Sequence, residues 1–237
     1  MNEPLVSIVV ITYNSSKYVL ETLESAKNQT YKNIELIISD DASQDDTVDI
    51  CDNWLRENKD YFKRTELVTV EKNTGIAPNL NRGIKRSTGI WIKSIAGDDI
   101  LSFDLIKLYV DYINQNGHTN FLFSNVDFID SNGNSVNKYN KSNELKRFSL
   151  LKSHKQYREL LNNSIIWAST WFYSRKLFND VGGFNENYPF FEDRPFLLKT
   201  TALNFKLTYL NVVGTMYRIH NNSIQKERKI LSKFLND

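Results

Sequence analysis

Short apolar runs alternate with segments of helical spacing over the first hundred residues of the chain. The run at 5–12, LVSIVVIT, is nearly continuous and rich in β-branched residues, which is typical of a central strand covered on both faces. The segment 18–28 instead places its apolar residues at helical intervals. The same signals predict further strands at 34–39, 65–70 and 90–96, and helices at 47–58 and 79–86. This alternation predicts an α/β fold with a parallel sheet and right-handed crossovers.

The stretch from Trp91 to Leu101, WIKSIAGDDIL, ends a predicted strand on two adjacent carboxylates, Asp98 and Asp99. Ligands of open α/β sheets bind beyond the carboxyl ends of the strands. Neighbouring carboxylates repel each other, and a cation held between them and a phosphate would relieve that repulsion. The alternative is that one of them only caps the helix predicted to begin near 102–104.

A second carboxylate pair, Asp40-Asp41, follows the predicted strand 34–39. Because the carboxyl ends of parallel strands share one edge, we expect Thr12, Asp41 and Asp98 to lie near one another. Groups of this kind could bind the base and ribose of a nucleotide, while a metal ion neutralises its diphosphate. A helix cap or a solvated turn is the alternative for Asp40-Asp41.

The second half of the chain has weaker signals. A helix is predicted at 105–115, a strand at 121–128 and a last core strand at about 207–217. The polar stretch 134–146 is predicted as a surface loop, with a lid as the alternative. The segment 165–173, IIWASTWFY, could be a strand that lines a pocket, in which Trp167 and Trp171 would stack on a ligand, but core packing is the favoured interpretation of these tryptophans.

Composition narrows the class of protein. With 41% hydrophobic and 24% charged residues and a net charge of +2, the 237-residue chain resembles a soluble globular protein and offers no case for nucleic acid binding. The single cysteine, Cys51, excludes an internal disulfide and fits a reducing cytoplasm. No signal peptide opens the chain, and no run reaches the roughly 20 apolar residues that span a bilayer. The basic segment 226–234 could form an amphipathic helix on anionic lipid, which would add peripheral contact with the inner face of the cell membrane; a frayed helix is the alternative.

Four motifs occur in a familiar order: SIVVITYN, DDASQDDT, NTGIAPNLNRGI and a strand that ends in GDD. Together they resemble the family 2 glycosyltransferases of the GT-A fold, of the type that builds bacterial surface polysaccharides. The resemblance covers roughly residues 4 to 220. It implies a three-layer GT-A sandwich with a mostly parallel central sheet in a single domain, 1–222. Residues 1–101 would form the nucleotide-sugar half, 102–222 the acceptor half, and 223–237 a basic helix or tail.

The resemblance also implies a set of residues that bind the nucleotide sugar: Thr12, Tyr13, Asp41, Asn81 and Asp98. Within this set, Asp41 would accept a hydrogen bond from the ring N–H of a base such as uracil, and Asp98 would touch the ribose or the metal. The sequence departs from the family pattern at Ala42, where glycine is usual, so the loop could differ slightly.

A metal site and a catalytic base are implied as well. Asp99 would ligate Mn²⁺ or Mg²⁺, and His220, in YRIHNNS, would complete the metal shell, with a structural role as its alternative. The form Gly-Asp-Asp, in place of Asp-x-Asp, leaves open which carboxylate has which role. After the loop VGGFNE, the Glu192-Asp193 pair would supply the base, Asp193 in the first place and Glu192 as the alternative. Both residues also suit the first turn of a helix.

The implied function is inverting, metal-dependent transfer of a hexosyl or N-acetylhexosaminyl group. The donor would be a nucleotide-diphosphate sugar, in the first place a UDP-sugar, and the acceptor a hydroxyl of a saccharide or lipid-linked saccharide in O-antigen or capsule synthesis. A non-catalytic nucleotide-sugar-binding module is one alternative. A sugar-phosphate nucleotidyltransferase is another, although SIVVITYNSSKY lacks the glycine-rich phosphate loop expected there.

Overall fold

The computed structural model describes residues 3–138, 141–162, 165–188 and 192–220. Its strands are β1 (Val6–Thr12), β2 (Ile34–Asp40), β3 (Arg64–Val68), β4 (Trp91–Ala96), β5 (Ile100–Leu101), β6 (Phe121–Ile129), β7 (Ser135–Lys138), β8 (Phe172–Ser174) and β9 (Thr208–Arg218). Its helices are α1 (Val19–Lys27), α2 (Thr47–Asn58), α3 (Ile76–Arg86), α4 (Leu105–Gln115), α5 (Ser142–Leu150), α6 (Ser153–Asn162), α7 (Arg175–Val181) and α8 (Asp193–Ala202).

The strands form one sheet in the order β3-β2-β1-β4-β8-β6-β9-β5, with β7 paired to β6. The β3-β2-β1-β4 half is parallel, as is the β6–β9 pair, whereas β8 runs antiparallel to β4 and β6. Thr12 pairs with Asp40, and Ile11 pairs with Ala96. The ends of β1, β2 and β4 are therefore level, as predicted, and the mostly parallel sheet confirms the α/β class.

Helices cover both faces of the sheet, and each face has its own apolar core. Val9 and Ile37 pack on one face with α3, α7 and α8, whereas Val10 and Ile38 pack on the other with α1, α2 and α4. Because both faces of β1 are buried, its sequence is continuously apolar rather than alternating.

The prediction of a surface loop at 134–146 was wrong. Within the described part of that stretch, β7 pairs with β6, and α5 begins at Ser142. Leu145 and Phe148 lie three residues apart on one face of α5 and are buried in the core. The polar residues around them form the exposed face of this helix. Because so few apolar residues mark its buried face, the helical spacing could not be recognised from the sequence.

The predicted strand at 165–173 was also wrong, since a 3₁₀ turn at Ala168–Thr170 precedes the three-residue β8. Buried side chains hold this turn, because the Ser169 carbonyl accepts hydrogen bonds from Lys93 Nζ at 2.5 Å and Thr215 Oγ1 at 2.8 Å. Trp171 is 1% exposed and stacks on Phe196, so it is a core residue and does not stack on a sugar.

The remaining predictions differ from the structure by small shifts. α3 starts three residues early, at Ile76, because Pro78 is tolerated in a first helical turn. α6 and α7 were not predicted. The predicted tail, 223–237, lies outside the described residues. No helix in the described ranges has the length and apolar character needed to cross a bilayer.

Candidate active site

The loops that follow β1 and β2 are tied together by side chains. The Asp40 carboxylate accepts hydrogen bonds from Thr12 Oγ1 at 2.7 Å and from Ser43 Oγ at 2.5 Å. Ser43 Oγ in turn accepts the backbone N–H of Asn14 at 2.9 Å. Thr12 is therefore buried at the end of β1, whereas the next residue, Tyr13, is 48% exposed.

Ala42 occupies the position where glycine was expected, and it adopts the backbone conformation that glycine would favour. Its φ is +66°, in the left-handed region. That region costs a residue with a Cβ roughly 1–2 kcal/mol. Ala42 therefore carries this backbone strain.

Asp41 is enclosed by protein donors. Its two oxygens accept hydrogen bonds from the backbone N–H groups of Thr74 and Gly75, from Thr74 Oγ1 at 2.6 Å and from Arg82 Nη2 at 2.9 Å. Burial alone would raise the pKa of Asp41, but these hydrogen bonds outweigh burial and hold the pKa below its ordinary value. Asp41 therefore anchors the turn that precedes α3. Its contact with a nucleotide base stays a prediction.

Arg82 was not singled out in the sequence. It also donates to Ser39 Oγ at 3.1 Å and to Asn79 Oδ1 at 2.9 Å, and so connects β2 to α3. A signal for it was available, because Asn79 and Arg82 are three residues apart and share a helix face.

Asn81 lies away from the strand ends. Its Nδ2 donates to the Phe184 carbonyl at 2.9 Å and to Glu186 Oε1 at 2.8 Å, and its Oδ1 accepts the Phe184 N–H at 2.9 Å. The side chain is 5% exposed. In this arrangement Asn81 clamps the loop Gly182-Gly183-Phe184, and its predicted contact with the nucleotide sugar is untested.

Asp98 and His220 come together at the end of β4. His220 Nε2 is 3.0 Å from Asp98 Oδ2, and the side chains are 16% and 28% exposed. Gly97 permits this approach of the strand ends, because a Cβ there would lie 2.8 Å from Thr12 Cγ2. The expected partner of His220 was Asp99, and the carboxylate next to it is Asp98.

Asp99 points into the protein. It is 1% exposed, and its Oδ1 accepts the backbone N–H of Arg218 at 2.9 Å. Burial, together with the adjacent charge of Asp98, raises the pKa of Asp99 well above its ordinary value. In the described contacts neither Asp98 nor Asp99 caps α4, which removes the capping alternative for this pair.

Arg218 is a buried cation that the sequence analysis missed. It donates to the Asp98 carbonyl at 2.9 Å and to Glu21 Oε2 at 2.7 Å, and its guanidinium lies 4.6 Å from the Tyr18 ring centroid. Its position two residues before His220 in an extended segment places both side chains on one face. Arg218 therefore fixes the backbone that carries Asp98 and His220.

Asp98 and His220 fit the implied divalent cation as a partial ligand set. Carboxylate and imidazole suit Mn²⁺, and Mg²⁺ is often held by one or two carboxylates together with substrate phosphates. The described residues contain no group of three or more His, Cys, Asp or Glu side chains that could hold a metal ion alone. The pair would thus hold the cation together with a diphosphate and water.

The Glu192-Asp193 pair lies at the start of α8, as predicted. Asp193 is partly exposed, and its Oδ1 accepts the N–H of Arg194 at 2.8 Å, whereas Glu192 is buried. Of the two carboxylates, Asp193 is therefore the more exposed.

A cluster of three partly exposed aromatic rings lies where β6 and β9 end. Phe128 pairs with Tyr217 across these strands, and Trp167 contacts both, with ring centroids 5.2 Å from each. Of the two predicted stacking residues, Trp167 alone is therefore close to the surface.

The model of the family described as "Glycosyl transferase family 2" matches residues 7–182 of the chain. The chain belongs to this family of glycosyltransferases. Among its relatives, an uncharacterized glycosyltransferase of Haemophilus influenzae is 28% identical over 227 residues, or 93% of this chain and 67% of the relative. The chondroitin synthase of Escherichia coli is 30% identical over 231 residues, but the match covers 94% of this chain and 31% of the synthase.

Solved structures share the fold of this chain. S. aureus TarS 1–349 in complex with UDP-GlcNAc matches with a TM-score of 0.73 at 21% identity, covering 93% of this glycosyltransferase chain and 60% of TarS. The mannosyltransferase PcManGT from Pyrobaculum calidifontis, in complex with GDP-Man and Mn²⁺, matches with a TM-score of 0.76 at 18% identity, covering 100% and 66%. The predicted GT-A fold is confirmed.

Proposed function

We propose that the chain is an inverting, metal-dependent glycosyltransferase that transfers a sugar from a UDP-sugar to a hydroxyl of a saccharide acceptor. The observation that carries the proposal is the Asp98–His220 pair, 3.0 Å apart, at the sheet edge that also holds Thr12 and Asp40. A nucleotide diphosphate needs contacts to its base and, one diphosphate length away, a cation that neutralises its phosphates. In this proposal Thr12 lies at the base, and Asp98 and His220 hold the cation.

In the proposed complex, the nucleotide base lies against Thr12 and the exposed ring of Tyr13. Asp41 shapes the pocket by holding the Thr74-Gly75 turn, and a base N–H would have to displace one of its present donors. Asp98 and His220 hold the cation, and Asp99 supports them from below through the Arg218 backbone. When bound, Mn²⁺ or Mg²⁺ would stabilise the negative charge of the departing diphosphate.

Asp193 is proposed as the base, with Glu192 as the alternative. The Asp193 carboxylate would take the proton of the acceptor hydroxyl, whose oxygen attacks the anomeric carbon from the face opposite the nucleotide. The bond from that carbon to the diphosphate oxygen breaks, and its electron pair leaves with the diphosphate. The product has inverted configuration because attack and departure occur on opposite faces.

The aromatic cluster Phe128-Trp167-Tyr217 supports a saccharide acceptor, since aromatic faces pack well on sugar rings. The name of one relative, chondroitin synthase, supports a role in polysaccharide synthesis. We extend this to O-antigen or capsule assembly at the inner face of the cell membrane, with a saccharide or a lipid-linked saccharide as acceptor.

The test of the catalytic assignment is Asp193→Asn. Transfer should fall by at least about 100-fold, because general base catalysis contributes 10²–10⁴-fold, while UDP binding by calorimetry should stay within twofold of the unmodified protein. The matched variant Glu192→Gln should keep more activity. Unchanged turnover in Asp193→Asn would remove the base assignment. UDP-sugar binding without turnover or donor hydrolysis in the unmodified protein would favour the non-catalytic module instead.

A further inference from the structure

A cavity of about 570 Å³ lies between α3, α7 and α8, away from the carboxyl ends of the strands. It is open to solvent and is lined by the later turns of α3, the loop Gly182-Gly183-Phe184 and the first turns of α8. Its volume is within the range of sites that bind small molecules. The proposed roles of Thr12, Asp98 and His220 leave this cavity unused.

The cavity begins where the base-binding region ends. Gly75, whose N–H contacts Asp41, starts α3, and the lining residues Asn81 and Lys85 follow six and ten positions later. At a rise of 1.5 Å per residue these positions lie about 9 and 15 Å along the helix axis. On the opposite wall, the lining residue Phe196 follows Asp193 by three positions and lies on the same side of α8. The cavity therefore extends from the neighbourhood of the proposed base, not from the nucleotide.

Its charged groups favour an anion. The lining carries two ammonium groups, Lys85 and Lys199, against the one carboxylate of Glu186. Among the described residues neither lysine has an ion-pair partner, whereas Glu186 Oε1 is engaged by Asn81 Nδ2 at 2.8 Å. Gly182, at φ +81°, lets the backbone pass close to Lys199, since a Cβ there would lie 3.5 Å from Nζ.

The other part of the lining is apolar. The rings of Phe178, Phe184 and Phe196 contribute to it and pack on one another, with centroids 4.5 Å apart for Phe184 and Phe196. An apolar wall with a few charged groups opposite suits a ligand that has a ring face and an anionic substituent.

We propose that this cavity is an acceptor subsite for an anionic saccharide unit, in which Lys85 and Lys199 bind a carboxylate or a phosphate. The inference rests on the proposed function, because it needs an acceptor that extends from Asp193. The two lysines would then select the acceptor by its charge, so that a saccharide with an acid group binds and its neutral counterpart binds weakly.

The test compares three matched probes by NMR titration of the full chain: methyl β-glucopyranoside, the corresponding glucuronide and the 6-phosphate. The unmodified protein should bind the two acidic probes at least 10-fold more tightly than the neutral one. The double variant Lys85→Gln/Lys199→Gln should lose this preference. The control Lys59→Gln/Lys63→Gln removes the same charge from exposed positions elsewhere and should keep it.

Binding of the glucuronide alone would identify a uronic acid as the ligand, and binding of the 6-phosphate alone a phosphorylated saccharide; each supports the subsite. Equal affinity for all three probes, no binding of any, or unchanged binding in the Lys85/Lys199 variant would overturn it. UDP titration of the unmodified protein separates the two proposals. If the unmodified protein binds UDP but shows no preference for the acidic probes, only the subsite is rejected, whereas no UDP binding in the unmodified protein rejects the proposed function.

Discussion

Asn81 provides a sharp test of how the site is built, because its predicted contact with the nucleotide sugar and its observed contacts differ. Replacing Asn81 by Ala removes three hydrogen bonds to the loop at Phe184 and Glu186. It also leaves the N–H and the carbonyl of Phe184, a residue that is 4% exposed, without these partners. At 1–3 kcal/mol for each buried group left unpaired, these two groups give a destabilisation of roughly 2–6 kcal/mol.

Asn81→Asp should be at least as harmful at pH 7 to 8. A carboxylate can accept the Phe184 N–H, but it faces the Phe184 carbonyl and the Glu186 carboxylate, where the amide group now donates. The measurement is urea denaturation of both variants, with Asn53→Ala as the control, since Asn53 is exposed on α2 and should change stability by about 0.5 kcal/mol or less.

UDP binding by folded Asn81→Ala should remain within twofold of the unmodified protein, because the contacts of Asn81 are with the loop and not with the strand ends. The contrary result is clear. If Asn81→Ala unfolded at the same urea concentration as the unmodified protein but no longer bound UDP, Asn81 would be a nucleotide contact and the clamp would have little energetic weight.

Two further predictions concern stability. Ala42→Gly should raise the free energy of unfolding by up to about 1 kcal/mol, because removing the Cβ releases the strain of the left-handed backbone. The larger entropy that glycine loses on folding offsets part of this gain. Lower stability of the variant in urea would contradict the strain. Burial lowers the pKa of Lys93 from 10.5 to about 7, so above pH 7 the unfolded chain binds one more proton than the folded one. Stability should therefore rise between pH 7.5 and 9.5, by at most about 1.4 kcal/mol per pH unit. Lys93→Met should flatten that rise, and an identical pH dependence in both proteins would exclude a neutral Lys93.

The sequence predicts the first half of the fold well because burial and backbone period coincide there. β1, β2 and β4 are buried on both faces, and α2 has the predicted bounds, 47–58. In α5 two buried residues alone mark the core face among polar neighbours, so composition indicated a loop. At 165–173 the competing influence was tertiary, since the buried Lys93 and Thr215 side chains bind the Ser169 carbonyl and favour a turn.

Motifs predicted the place of the site better than the role of each residue. Asp98 and Asp99 are adjacent, and only the structure reveals that Asp98 faces His220 while Asp99 faces the Arg218 backbone. Asn81 belongs to a recognisable motif, but the direction of its side chain depends on a loop about 100 residues away. Arg218 was overlooked because it follows the predicted last strand, and a single cation gives no signal until its partners are known.

The most direct test of the central claim is calorimetric titration of UDP, with and without Mn²⁺, into the unmodified protein and into His220→Ala. We predict that Mn²⁺ tightens UDP binding at least 10-fold in the unmodified protein, and that His220→Ala loses most of this gain while retaining its metal-free affinity. UDP affinity that is the same with and without Mn²⁺, or the same gain in His220→Ala, would contradict a cation held by Asp98 and His220 against the diphosphate.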